Sequence, residues 1–111
     1  MSTIFSKILS GDIPADVVYE DDLCLAFKDV SPVAPMHILL IPRKELSKLS
    51  DAETQDQTLL GHMMLKTKEI AKSQGFDDYR VVVNNGAGAQ QSVFHLHLHI
   101  IGGRSLNWPP G

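Results

Sequence analysis

The sequence predicts an α+β fold, an antiparallel sheet of about five strands with one long and one short helix. Three observations predict it. Five segments have strand length and strand patterning. Most are joined by short loops, which suit antiparallel neighbours better than the long crossovers of a parallel sheet. The helical segments stand before and among the strands rather than in strict alternation with them, which disfavours a doubly wound fold. At 111 residues the chain has the size of one domain, 1–111.

The elements follow in order. In TIFSKILSGDIP, Ser2 or Thr3 can cap a short helix whose apolar stripe is Ile4, Phe5, Ile8 and Leu9, and Gly11 ends it. DVVYEDDLCLAFKD reads as a hairpin, Val17–Tyr19 and Cys24–Phe27 around a turn at Glu20–Asp22. VSPVAPM is a loop and HILLIP an apolar strand. The stretch 50–75 is the long helix. Ser50 and Glu53 offer a capping box, Leu59, Leu60, Met63, Met64, Thr67, Ile70 and Ala71 make one face, and Gly75 is the expected residue just past the end. YRVVVN and SVFHLHLHII are the last strands, with a glycine-containing loop between them and RSLNWPPG after them. No internal repeat or low-complexity segment is present.

Hydrophobic residues make up 43% of the chain and charged residues 21%, enough apolar material for a real core. The net charge of −3 argues against a duplex nucleic-acid binder, which carries a basic footprint. Cys24 is the single cysteine, so neither an internal disulfide nor a CxxC metal pair can form. No segment has the length and apolarity of a membrane span, and the first residues lack the pattern of a secretion signal. A cytoplasmic location and no membrane partner are expected.

The stretch HLHLHII holds three of the five histidines, His95, His97 and His99. On a strand they share one face, with Leu96, Leu98 and Ile100 on the other. Three readings are open on the residues alone. The imidazoles could coat a solvated face, although histidine is not a favoured strand residue. Neighbours could share a metal ion, but His95 and His99 Cα atoms would stand about 13 Å apart on a strand, too far for all three to meet one ion without strong leaning. Or the row could do chemistry on an extended anion, one imidazole as nucleophile and its neighbours as hydrogen-bond donors and proton carriers.

The triad, with IFSKILSGDIPADVVYEDDLCLAFKDVSPVAPMHILLIPR, VVVNNG, QSVFHLHLHIIGGR and the terminal WPPG, resembles the histidine triad (HIT) family over essentially the whole chain. Within it the chain is most similar to the Hint branch, the nucleoside phosphoramidate hydrolases. The resemblance implies that His97 is the nucleophile, that His99 and Ser92 contact phosphate, that His95 is a buried orienter and that His37 belongs to the same network. It implies that Asn84, Gln90 and Gln91 lie along the nucleotide near the phosphate, that Asp29 with Val30 binds the ribose, and that Ile4, Phe5, Ile8 and Phe27 sandwich a purine. Asp29 could also serve as a turn residue, and the apolar set as core. His62 matches none of these positions and is read as packing or surface. The resemblance further implies a homodimer whose sheet continues across its axis, with the tail 104–111 at the interface and Trp108 reaching the partner's site. No metal and no cofactor is expected. A dinucleoside polyphosphate hydrolase, or a nucleotide- or partner-binding module with little turnover, are the rival functions.

Two positions depart from the branch. Gln90 stands where glycine is usual, which bears on the conformation of the loop before Ser92. Asn85 stands where an acid is common.

Overall fold

The computed structural model describes residues 2–111. Its elements are helix α1 (Ile4–Leu9), strands β1 (Val17–Glu20), β2 (Cys24–Lys28) and β3 (Met36–Pro42), helix α2 (Gln57–Ser73), and strands β4 (Arg80–Val82) and β5 (Leu98–Gly102). The five strands form one antiparallel sheet in the order β1-β2-β3-β5-β4. The predicted fold class is therefore the observed one.

Period-two alternation sorts the side chains to two buried faces. Cys24 and Ala26 of β2, Met36, Ile38 and Leu40 of β3, and Leu98 and Ile100 of β5 pack under α2 with Met63, Ile70 and Ala71. Leu25 and Phe27 of β2 and Leu39 and Ile41 of β3 face the other way and meet Phe5 of α1. The two helices thus cover opposite faces. β3, apolar at every position but His37, is buried along its whole length.

Local chemistry sets the ends. Thr3 caps α1: its hydroxyl accepts the Ser6 N–H at 3.2 Å, and Ser6 Oγ accepts the Thr3 N–H at 2.7 Å. Gly75 follows α2 with φ +91°, the left-handed turn expected past a helix end. After β5 the chain turns at Gly103, φ +95°, where a Cβ would stand 2.8 Å from both the Phe76 ring and Pro35. No other residue type fits there without displacing them.

The starts of two elements differ most from those expected. α2 begins at Gln57, not near Ser50. The Ser50 N–H is taken by Asn85 Oδ1 at 2.8 Å, and residues 49–51 and 54–56 form single 3-10 turns instead. The side chain that reaches back at the helix entry is Asp56, which accepts the Glu53 N–H at 2.9 Å and the Lys44 ammonium. The last strand starts at Leu98, so His95 and His97 precede it. β5 pairs with β3 only as far as Leu40↔Leu98. Beyond that the Leu96 N–H goes to the Leu46 carbonyl at 2.7 Å, and the Pro42 carbonyl is taken by a side chain, His95.

Candidate active site

The histidines run in a row on the α1 face, from His37 near the start of β3 through His99 near the start of β5 to His97 and His95 just before it. His37 pairs with Ile101 and His99 with Leu39, so the two imidazoles are diagonal neighbours across antiparallel strands, within reach of each other. His37 Nε2 lies 2.9 Å from His99 Nδ1. His99 and His97 stack edge to face with ring centres 5.0 Å apart, and Phe5 meets His97 at 5.0 Å and His95 at 6.4 Å. The three triad side chains keep one face although only His99 lies in regular strand.

Backbone partners fix the tautomers, because a carbonyl only accepts and an amide N–H only donates. His97 Nδ1–H donates to the His95 carbonyl at 2.8 Å, which leaves the lone pair on His97 Nε2. His95 Nε2–H donates to the Pro42 carbonyl at 2.8 Å. His37 Nδ1 accepts the Val33 N–H at 3.1 Å, so its proton sits on Nε2 and donates to His99 Nδ1. Neutral His99 then carries its proton on Nε2.

Burial holds His37, His97 and His99 neutral. It lowers His99 furthest, to about 4, with His97 and His37 adding to the shift and Asp29 opposing it. His97 is lowered by burial too, partly offset by its bond to the His95 carbonyl. His37 follows, with Asp29 again opposing. His97 is therefore an unprotonated nitrogen base at neutral pH, in a wall of aromatic rings.

Asp29 joins this group. Its Oδ2 lies 3.4 Å from His37 Nε2, while Oδ1 accepts the Ser31 N–H at 2.8 Å. The turn role and the site position coexist. Asp29 and Val30 also border a cavity of about 380 Å³ with Ile4, Ile8, Ile13 and Phe27. Asp16 and Lys28 also line this otherwise apolar cleft. Phe5 is buried against Phe27 and His97 rather than in this lining.

Of the other expected residues, Ser92 and Gln90 are exposed and Asn84 half-buried, all in the segment leading from β4 to the triad. Gln90 adopts φ +70°, the left-handed conformation glycine takes freely. Gln91 requires a correction. Its side chain is 4% exposed, and both its donors and its oxygen bond to the protein, so it faces inward rather than along a nucleotide. Trp108 is 80% exposed, and the Arg80 guanidinium holds the neighbouring Asn107 carbonyl at 3.1 Å beside β4, an edge of the sheet.

The sequence reading missed a second polar cluster. Asp21 accepts from the Tyr19 hydroxyl at 2.6 Å, from His62 Nε2 at 2.7 Å, and from the Leu23 and Cys24 N–H groups at 2.8 and 2.9 Å. Burial raises its carboxyl, but these hydrogen bonds outweigh burial and hold it well below the carboxylate range. His62 thus locks the β1–β2 turn to α2. Metal-ligand types meet twice among the described residues, as Asp21, Cys24 and His62 and as Asp29, His37 and His99, each within 4.8 Å. In the first, hydrogen bonds already join the groups; in the second, His37 is bonded to His99 and Asp29 stands 3.4 Å from His37.

A model of the HIT domain matches residues 10–106. An uncharacterised HIT-like protein of Synechocystis sp. is 63% identical over 110 residues, 98% of this chain and 96% of its own. The crystal structure of a HIT family hydrolase from Legionella pneumophila Philadelphia 1 superposes with TM-score 0.96 at 43% identity, covering 99% of this chain and 100% of that one. A histidine triad nucleotide-binding protein from Candida albicans superposes with TM-score 0.84 at 30% identity, covering 97% and 83%. With the matched model spanning most of the chain and the three imidazoles ranged beside His37, the chain belongs to the HIT domain family.

Proposed function

We propose that the protein hydrolyses purine nucleoside 5′-phosphoramidates by double displacement, as a Hint-branch enzyme. The observation that carries this reading is the tautomer of His97: a buried imidazole whose Nδ1 proton is committed to a backbone carbonyl and whose Nε2 lone pair is free. In the first step His97 Nε2 forms a bond to the α-phosphorus, the P–N bond breaks, and the amine leaves with a proton taken from solvent. In the second, water forms the new P–O bond and returns a proton to solvent, the P–Nε2 bond breaks, and a nucleoside monophosphate is released. His99, protonated at Nε2, and Ser92 donate to phosphoryl oxygens and neutralise the charge that develops there. His95 fixes the nucleophile through its carbonyl, and His37 fixes the tautomer of His99. Asp29 accepts from the ribose hydroxyls while the purine enters the cleft of Ile4, Ile8 and Phe27, and Asn84 and Gln90 line the phosphate end. Phosphoryl transfer by these groups needs positioning and charge neutralisation, which the imidazoles provide.

The acting unit is a homodimer, cytoplasmic, with Trp108 of each protomer set at the partner's leaving-group side. An exposed tryptophan on a tail tied beside an edge strand supports this arrangement. The deciding experiment measures hydrolysis of an adenosine 5′-phosphoramidate beside diadenosine polyphosphates. Preference for the phosphoramidate is expected. Preference for the polyphosphates would reassign the leaving group, and AMP binding without turnover of either would make the protein a binding module. Sedimentation should give a dimer, and truncation after Leu106 should alter selectivity among amines more than AMP affinity.

A further inference from the structure

Two irregular segments meet beside the triad. One follows β3, residues 43–50, and the other runs from β4 to β5, residues 83–97. Three hydrogen bonds join them: Ser50 N–H to Asn85 Oδ1 at 2.8 Å, Gln91 Nε2 to the Ser47 carbonyl at 2.8 Å, and Leu96 N–H to the Leu46 carbonyl at 2.7 Å. Gln91 also spans its own loop. Its Nε2 donates a second time, to the Val93 carbonyl at 3.0 Å, and its Oε1 accepts the Gly86 N–H at 2.8 Å. The left-handed turn at Gln90 is what sends Gln91 inward while Gln90 and Ser92 stay exposed. A buried primary amide with two carbonyls on its nitrogen and an N–H on its oxygen is matched by no other side chain of that length. An ionised glutamate lacks the donors, and methionine lacks both functions.

We infer that Gln91 is a positioning residue for the phosphate end of the site: it fastens the loop 86–93 to the Ser47 segment so that the Ser92 hydroxyl and the Ser92 and Val93 N–H groups are held toward the phosphoryl oxygens. Among the described residues these two N–H groups have no acceptor, so both are available to an anion. Gln91 touches no substrate atom itself. The inference rests on the phosphoramidate reading for its ligand, but the fastening can be measured without turnover.

The test compares Gln91→Met and Gln91→Glu with the wild type by steady-state kinetics, AMP affinity and amide hydrogen exchange. Gln91→Met should lower kcat roughly 10- to 100-fold, the size of effect a displacement of about 1 Å produces, with KM and AMP affinity within about threefold. Exchange should quicken in residues 86–93 while β3 and β5 stay protected. Gln91→Glu should show the same loss at neutral pH, and its activity relative to wild type should rise as the pH falls, because a protonated carboxyl restores one donor. Unchanged kcat and unchanged exchange in Gln91→Met would overturn the inference. So would parallel losses of kcat, AMP affinity and global stability, which would make Gln91 an ordinary core residue. If the wild type cleaves no phosphoramidate, the functional reading fails, and the exchange data still decide the fastening.

Discussion

His37 directs its Nε2 proton at His99 Nδ1 across 2.9 Å, so two imidazoles on adjacent strands share one proton between them. A second proton on His99 has no place in that pair. The pKa of His99 in the fold is about 4 against an ordinary 6.5, and those of His97 and His37 are lowered as well. Between those values the unfolded chain binds more protons than the folded one, so stability must rise with pH there. It is complete above about pH 6.5 and falls as the pH drops toward 4, by a few kcal/mol at most from His99. Urea unfolding at pH 7 and pH 4.5 checks this, and equal midpoints would show the imidazoles to be freely protonated.

Replacing His97 with alanine removes the attacking atom and leaves the cleft. Turnover should fall by at least about a thousandfold, while AMP affinity stays within roughly tenfold. Quenching the wild type during turnover with alkaline denaturant, which spares the acid-labile P–N bond, should trap a nucleotide on His97, seen by intact mass and peptide mapping. Substantial activity in His97→Ala would end the covalent mechanism.

Asp29→Asn keeps the side-chain shape and the acceptor for Ser31 N–H but loses the negative charge near His37. Ribonucleotide substrates should suffer roughly tenfold or more in kcat/KM, and 2′,3′-dideoxy analogues much less, since hydrogen bonds to a charged acceptor are the stronger kind. Equal losses on both substrates would leave Asp29 with the turn role alone.

Gln90→Gly should stabilise the protein by about 0.5–1 kcal/mol. The left-handed conformation costs a non-glycine residue about 1–2 kcal/mol, and glycine returns part of that gain through its greater freedom in the unfolded chain. Gln90 is exposed, so little packing is lost. Thermal unfolding of the variant reads the difference directly, and a lower melting temperature would mean that the Gln90 side chain holds the loop.

Periodicity made the fold legible. The alternation in HLHLHII placed Leu98 and Ile100 in the core opposite the imidazoles, while His37 beside the triad was implied by the resemblance to the HIT family and not by any pattern. What the pattern could not show were bonds made across loops. The Ser50-to-Glu53 pair has the spacing of a capping box, but Ser50 N–H is claimed by Asn85, thirty-five residues away. Asn85, a departure from the branch with no evident meaning in sequence, acquires one there. Gln91 sits beside the exposed Ser92 in sequence, yet the left-handed turn before it aims its side chain the other way. The strand ends short of His97 because its neighbouring carbonyl is given to His95 instead of a ladder partner. His62 lies on the helix face between two apolar turns, and only the folded β1–β2 turn supplies its acceptor.

Cys24 is fully enclosed beneath α2, and burial, with Asp21 adding to it, pushes its thiol up to about 12. The reactive form of a thiol is the thiolate, so in the closed fold this sulfur is inert to alkylating reagents on two counts, access and charge. Labelling can proceed only through excursions that lift α2 or the β1–β2 turn from the sheet. The rate at which a reagent consumes the single thiol therefore counts those openings, and any ligand that binds only the closed fold should slow that clock without ever touching the sulfur.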